Sequence, residues 1–212
     1  MNMVRKRLLG ALSIVAMSFV LTGCLGDYFA PEDRPSAPVA GEFDHLTESG
    51  VERIKSRGSA RLDMISGRLE KETVGLPADA AYGPTILAKD GRMIEISIAG
   101  PDGDVSASSD TLRFNTVSTQ PDFSEVTYFL RAGSWEELVK FIHDGVARYG
   151  IDADAAGRWI ESIGGKDTET SNYALGPGTS TGLAVTYDLR YDGPKDQRVI
   201  IVHVNSVQDL KD

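Results

Sequence analysis

The 212-residue chain has one cysteine, Cys24, and therefore cannot form an internal disulfide. This excludes a small secreted domain stabilised by disulfide bonds. It also excludes the zinc sites built from two to four cysteines. Hydrophobic residues make up 41% of the chain, an ordinary fraction for a globular protein, so an apolar core must supply the stability.

Basic residues are also scarce. Lys and Arg total 22 against 31 Asp and Glu, a formal net charge of −9. Residues 1–23 hold three of the basic residues and no acidic one, so the remaining chain carries −12. No basic run follows Arg7. Nucleic acids and anionic lipid head groups require clustered Lys or Arg, so neither is an expected partner.

The longest apolar run, Leu8 to Leu21, has 14 residues. A transmembrane helix needs roughly 20 residues to cross a ~30 Å hydrocarbon core, so this run is short for a span. It follows the basic residues Arg5 to Arg7 and precedes two small residues, Thr22 and Gly23. That order is typical of a signal peptide.

The tetrapeptide Leu21-Thr22-Gly23-Cys24 resembles the lipobox of bacterial lipoproteins. The resemblance covers about the first 24 residues and implies a diacylglyceryl group on the Cys24 thiol, with cleavage between Gly23 and Cys24. Two acyl chains hold a protein stably on a membrane, whereas one does so only marginally. We therefore expect a lipid-anchored protein facing the extracytoplasmic side. An uncleaved transmembrane anchor with an incidental cysteine is the alternative.

Three segments are predicted: a signal peptide over 1–23, the lipidated cysteine and a flexible tether over 24–43, and a single domain over 44–212. The tether prediction depends on three prolines, Pro31, Pro35 and Pro38, and the small residues between them.

The domain is predicted to be α+β, with a mostly antiparallel sheet and helices packed on one face. Apolar spacings of three and four predict helices over 134–149 and 152–163. Over 44–73 they predict either one long helix kinked near Gly58 or two shorter helices. Alternation predicts strands over 94–98, 111–118, 125–131, 183–191 and 198–205. Asp90-Gly91 favours a hairpin between 85–89 and 94–98, and 100–110 is expected to be a polar turn.

The helix over 134–149 has the clearest signals. Ser134 and Glu137 match a capping box, and Gly150 ends the pattern. One side carries six apolar residues: Trp135, Leu138, Val139, Ile142, Val146 and Tyr149. Aromatic residues on such a face either join the core or line a ligand pocket, and we expect the core.

Gly178-Thr179-Ser180-Thr181-Gly182 matches the G-x-S-x-G motif of serine hydrolases, with Asp188 and His203 as possible partners. In those enzymes the serine lies between a strand and a helix, whereas a strand is predicted after Ser180. A hydrolase centred on Ser180 is therefore the weaker alternative, and no catalytic residue is predicted. His203 is interpreted as a hydrogen-bonded strand histidine.

No metal or cofactor is predicted. The three histidines are scattered, whereas zinc requires clustered ligands. Asp102, Asp104 and Asp110 lie in one loop, but it lacks the glycine and glutamate of an EF-hand. The resulting hypothesis is a non-catalytic binding or envelope-interaction module. The alternative is a carrier of a lipid or small apolar molecule, which would require a cavity between the sheet and the helices.

Overall fold

The computed structural model describes residues 43–116 and 119–210. The predicted signal peptide, Cys24 and the tether up to residue 42 lie outside them. The described helices are α1 (Glu48–Arg57), α2 (Trp135–Tyr149) and α3 (Ala153–Ile163). The strands are β1 (Ser59–Asp63), β2 (Leu69–Glu70), β3 (Thr85–Leu87), β4 (Ile94–Ala99), β5 (Asp104–Ser109), β6 (Thr111–Thr116), β7 (Asp122–Arg131), β8 (Thr170–Gly178), β9 (Leu183–Asp192) and β10 (Gln197–Ser206).

The strands form two sheets. The larger has the order β3-β6-β7-β10-β9-β8, with every neighbouring pair antiparallel, and β2 adds to β7. The smaller has the order β1-β4-β5, in which β1 and β4 are parallel and β4 and β5 antiparallel. The α+β class with mostly antiparallel sheets is therefore confirmed.

The first predicted helical segment starts too early, and it is wrong beyond Gly58, the position expected for a kink or a break. α1 begins after Thr47, whose side chain accepts a hydrogen bond from the Gly50 N–H, and it ends at Gly58 in the left-handed conformation. The chain continues as β1, where Ala60 and Leu62 are buried and alternate with partly exposed residues. Pairing with β4 gives the backbone N–H and C=O groups of β1 their hydrogen-bond partners. This stabilisation outweighs the helical preference that the spacing of its apolar residues indicates.

The predicted hairpin at Asp90-Gly91 is also wrong. Both residues have the positive φ angles that a tight turn needs. However, β3 before the turn pairs with β6, and β4 after it pairs with β5. Part of the predicted polar turn is therefore strand β5, whose Val105 and Ser109 are fully buried.

The elements with strong local signals agree with the prediction. Ser134 caps α2 by accepting from the Glu137 N–H, and the Glu137 carboxylate reaches back to the Gly133 N–H at 2.7 Å. Asp152 caps α3 in the same way. The predicted strands are present as β4, β6, β7, β9 and β10, whereas β8 had no predicted counterpart.

α2 contacts β8, β9 and β10, and α3 contacts α2 and β8. Leu138 and Ile142 of α2 are buried. Gly145 lies so close to the Tyr187 ring of β9 that an added Cβ would meet Cε2 at 2.5 Å. These contacts position α2 against β9, whose Tyr187 lines the candidate site.

Candidate ligand-binding cleft

A cleft of about 360 Å³ opens between α2, β5 and β7. Its volume lies within the range of about 300–1,000 Å³ that is usual for small-molecule sites. Seven of its lining residues are apolar or aromatic, and six are polar, of which four are charged. The residues that line it are Met93, Ser106, Ala107, Ser108, Tyr128, Leu130, Arg131, Glu137, Phe141, Asp144, Arg148, Tyr149 and Tyr187.

Three tyrosines meet in this cleft. Tyr128 on β7 and Tyr187 on β9 both pair with Val202 of the intervening strand β10, so their side chains lie in one row on one face of the sheet. Tyr149, at the end of α2, meets the Tyr187 ring edge-on, with centroids 6.4 Å apart. The row places aromatic rings from two strands beneath a ring from the helix.

The Tyr149 hydroxyl joins the helix to strand β5. It accepts a hydrogen bond from the Ser106 N–H at 3.3 Å and donates one to the Ser106 carbonyl at 3.0 Å. Arg148 donates to the Ser106 hydroxyl at 2.5 Å. α2 and the outer edge of β5 therefore form one wall that is fixed by three hydrogen bonds.

The hydroxyl of Tyr128 is buried without a well-formed hydrogen bond. Tyr128 has no exposed surface. Within the described residues its hydroxyl has no partner at full hydrogen-bonding geometry, but the Tyr149 hydroxyl lies close enough to interact with it and to raise its pKa. Because Tyr149 donates its single proton to the Ser106 carbonyl, it can serve Tyr128 only as an acceptor. A buried hydroxyl without a well-formed hydrogen bond costs free energy, so this group at the wall of a cleft requires an explanation.

All three hydroxyls are neutral at physiological pH. Burial raises the pKa of Tyr128 well above its ordinary value, and the nearby Tyr149 and Tyr187 raise it further. Burial likewise raises the pKa of Tyr149 and of Tyr187. The Tyr128 hydroxyl therefore keeps its proton and can both donate and accept a hydrogen bond.

Four charged residues stand around the cleft, and their formal charges cancel. The Arg131 guanidinium donates to Asp110 at 2.8 Å, and Glu137 accepts from the Gly133 N–H. The side chain of Asp144 has no hydrogen bond or ion pair among the described residues. The four residues are Arg131, Glu137, Asp144 and Arg148.

His203 belongs to a second polar cluster, on the other face of the large sheet. It pairs in register with Thr127 of β7, one residue along from the row that holds Tyr128, so its side chain points to the opposite face. Its Nδ1 lies 2.9 Å from Oε2 of Glu125. Thr127 and Asn115 donate to the other oxygen of Glu125, at 2.6 and 2.5 Å. His203 is thus a strand histidine with a carboxylate partner.

Ser180 lies between β8 and β9, and its backbone N–H donates to the Tyr149 carbonyl. A strand follows it where the hydrolase motif has a helix. Asp188 forms an ion pair with Arg190, and His203 is engaged by Glu125. Asp188 and His203 therefore have other partners, and Ser180 precedes a strand instead of a helix.

Residues 43–116 and 119–210 contain no group of three or more His, Cys, Asp or Glu side chains arranged to hold a metal ion. In the loop considered for calcium, Asp104 begins β5 and Asp110 binds Arg131. No helix in these ranges is long and apolar enough to cross a membrane.

Comparison with known protein families, with characterised proteins and with solved structures gives no match for this chain.

The sequence did not identify this cleft. Tyr149 lies on the apolar face of the predicted helix over 134–149, but Ser106 and Ser108 fall within the expected polar turn over 100–110. Tyr128 and Tyr187 fall within predicted strands, and the pattern assigns no role to their hydroxyls. At both positions a phenylalanine would fill a core equally well. The two tyrosine hydroxyls are therefore the feature of the sequence that could have indicated the cleft.

Proposed function

We propose that this protein is a membrane-anchored, extracytoplasmic lipoprotein whose domain is a non-catalytic binding module. The lipobox over residues 21–24 supports the anchor, with lipid on Cys24. The cleft between α2, β5 and β7 supports the binding role. Its ligand is a small molecule with an apolar body and one hydrogen-bonding group.

The observation that carries this proposal is the buried hydroxyl of Tyr128, which lacks a well-formed hydrogen bond. A phenylalanine at this position would avoid the cost of burying that group. Because Tyr128 has no exposed surface, a ligand in the cleft reaches its hydroxyl only after the surrounding side chains move, and a polar atom of the ligand would then pair with it. The apolar body of the ligand would lie against Leu130 and Phe141, which also line the cleft.

The arrangement of helices supports a site of this kind. Tyr187 and Tyr191 lie four residues apart on β9, so their side chains share a face. Gly145 of α2 abuts Tyr187, and Trp159 of α3 meets Tyr191 edge-on with centroids 6.5 Å apart. We infer that α2 and α3 both pack on one face of the large sheet. The cleft lies at the edge of the area that they cover.

A carrier for a small apolar molecule is the second candidate. A carrier would pass its ligand on to another acceptor, whereas a binding module would retain it, and the cleft volume suits a small ligand in either case. A hydrolase centred on Ser180 receives less support, because a strand follows the serine and His203 binds Glu125 on the far face of the sheet.

Binding of two matched probes, p-cresol and toluene, tests the cleft. They differ by one hydroxyl, so only p-cresol can pair with Tyr128. We expect the wild-type domain to bind p-cresol more tightly by about 2- to 12-fold, the equivalent of one net hydrogen bond. In Tyr128→Phe this preference disappears. The titration is followed by nuclear magnetic resonance on the chain beginning at Gly41, after a cooperative melt has verified its fold.

Tyr173→Phe is the matched control, because it removes a tyrosine hydroxyl from an exposed position outside the cleft. It should retain the wild-type preference for p-cresol. If neither probe shifts resonances of residues lining the cleft, a site for this ligand class is rejected. An equal p-cresol preference in the wild type and in Tyr128→Phe rejects the role of the Tyr128 hydroxyl.

A further inference from the structure

Four strands end the orders of the two sheets, β1 and β5 in the small sheet and β3 and β8 in the large one, and the two-residue strand β2 pairs only with β7. An outer strand exposes a row of unpaired N–H and C=O groups and can pair with another chain. Proteins usually protect such edges by covering them, by keeping them short or by placing charges on them. The four edges differ in how they are protected.

Both edges of the small sheet are covered. On β1, the Asp44 N–H donates to the Arg61 carbonyl at 2.8 Å, and the Asp44 carboxylate accepts from the Arg61 N–H at 2.8 Å. On β5, the Tyr149 hydroxyl forms hydrogen bonds with both the N–H and the carbonyl of Ser106. Side chains or an adjoining segment thus occupy the place of a further strand.

The two edges of the large sheet contrast in length. β3 has only three residues. β8 has nine, Thr170–Gly178, and none of them is charged. Among the described residues, no backbone hydrogen bond joins β8 to any element except β9. β8 is therefore a long, uncharged edge. Pro177 and a shift in register between Leu175 and Gly178 protect its second half, whereas its first half has neither.

The first half of β8 is accessible to another chain. Thr170, Asn172, Tyr173 and Ala174 are exposed, and Ser171 is half-buried where it accepts a hydrogen bond from the Trp159 indole. Proline occurs only near the other end, at Pro177. Residues 170–174 thus present backbone groups that a further strand can use.

We propose that β8 pairs antiparallel with β8 of a second copy of this chain, around a two-fold axis that crosses residues 170–174. Such an interface is self-complementary, because each copy offers the same strand to the other. Hydroxyl and amide side chains of Thr170 and Asn172 can pair across the axis, as such cross-strand pairs do in sheets. The six-strand path of each copy would continue into the other.

Net charge disfavours the association of two copies in general, and it disfavours pairing at this uncharged strand least. Residues 24–212 carry a formal charge of −12, so two copies repel each other over most approaches. An uncharged strand allows the backbones to approach without placing like charges opposite one another. Tyr173, which is 41% exposed, would gain burial on the helix side of the joined sheets.

Single cysteines introduced into the full chain test the proposal in its own membrane. Each residue from 170 to 174 is replaced by Cys in turn, and membranes are oxidised mildly before electrophoresis. In an antiparallel pair, directly opposite Cα atoms lie about 4.5–5.5 Å apart, within reach of a disulfide. Two residues from the axis, the same residue in both copies is separated by roughly 13 Å. We expect one position, or two neighbours, to form a covalent dimer.

Two controls define the background. The wild-type chain reports any crosslinking through Cys24, its only cysteine. Lys140→Cys places a thiol on the exposed side of α2, away from β8. If no position from 170 to 174 exceeds both controls, the second-copy proposal is overturned. A crosslink only to a different protein also overturns it, and would identify β8 as an edge for another partner.

A charge on the edge supplies a second measurement. Ala174→Lys should convert the detergent-solubilised chain from dimer to monomer in light scattering, because a lysine opposes strand addition at an edge. Ala81→Lys makes the same change in an exposed loop and should leave the dimer intact. Unchanged circular dichroism shows that both variants fold. A monomeric wild type, or an Ala174→Lys variant that remains dimeric, contradicts the proposal.

Discussion

The Tyr149 hydroxyl occupies both backbone groups of Ser106: it accepts from the N–H at 3.3 Å and donates to the carbonyl at 3.0 Å. A side chain at the end of α2 thereby replaces the next strand at the edge of the small sheet. The two residues are 43 positions apart in the chain. This contact closes one side of the proposed ligand cleft.

Tyr149→Phe should therefore lower stability by about 1–3 kcal/mol, because it leaves two partly buried backbone groups unpaired. The measurement is the free energy of unfolding in denaturant, together with amide hydrogen exchange at Ser106, which should become faster. Tyr82→Phe removes a hydroxyl from an exposed loop residue and should change neither quantity. Unchanged exchange at Ser106 in Tyr149→Phe would contradict the role assigned to this contact.

Ile142→Ala should lower the free energy of unfolding by about 2–5 kcal/mol, because Ile142 is fully buried on α2. That loss is a large share of the ~5–15 kcal/mol typical of a domain. Lys140→Glu, on the exposed side of the same helix, should change it by less than about 1 kcal/mol. Denaturant unfolding measures both variants. An unchanged midpoint for Ile142→Ala would show that α2 is not packed.

Two glycine substitutions in helices should have opposite effects. Gly145→Ala places a Cβ 2.5 Å from the buried Tyr187 ring, so overpacking of about 1–3 kcal/mol exceeds the ~1 kcal/mol gained from helix propensity. Gly157→Ala on α3 meets nothing within 4 Å and should stabilise by up to about 1 kcal/mol. Thermal unfolding of both variants tests the prediction, and a stabilised Gly145→Ala variant would show that α2 can move from the sheet.

The Glu125–His203 pair should make stability depend on pH. The hydrogen bond with Glu125 raises the pKa of His203 from its ordinary 6.5, against the effect of burial. Asp188 raises the same pKa, and Arg190 lowers it. Burial alone would raise the pKa of Glu125, but hydrogen bonds, the one with His203 foremost, lower it to about 2.

The signs define the pH window. A raised histidine pKa stabilises fully below 6.5 and loses this effect as pH rises through the folded-state value. A lowered glutamate pKa stabilises above 4.5 and loses this effect as pH falls towards 2. The pair should thus contribute most between pH 4.5 and 6.5. The wild-type free energy of unfolding should fall from about pH 6.5 to about pH 8 more steeply than that of His203→Gln, and equal slopes would refute the coupling.

Cys24→Ser should abolish membrane attachment, because serine lacks the thiolate that accepts the diacylglyceryl group. Detergent partitioning of the wild type and the variant measures attachment, and mass analysis of the amino terminus identifies the lipid. Ser171→Cys leaves Cys24 in place and should remain attached. Equal retention of the Cys24→Ser variant and the wild type would reject lipidation at this residue.

Local signals in the sequence predicted the elements whose stability depends on near neighbours. The capping residues Ser134 and Asp152 mark the starts of α2 and α3, since a cap bonds to a backbone N–H only three residues away. Alternation in β9 and β10 likewise reflects one buried face. The lipobox around Cys24 is also local, and its interpretation does not depend on the fold.

Strand partners could not be obtained in the same way. The apolar spacing after Gly58 suits a helix, and Asp90-Gly91 suits a hairpin, yet β1 and β3 find partners elsewhere in the chain. β8 has too few apolar residues to show alternation, and it becomes a strand because β9 lies beside it. Pairing stabilises a strand through groups far away in sequence, which no local pattern records.

The chain by itself thus determined an acidic α+β domain and the capped helices α2 and α3, and its amino terminus predicts a lipid anchor. Only the tertiary structure decided that Tyr128, Tyr187 and Tyr149 meet in one cleft, and that β8 is the edge whose first half is unprotected. Caps and alternation act over a few residues. A cleft or an exposed edge results from which distant strands exclude water from each other, and that choice is made when the whole core forms.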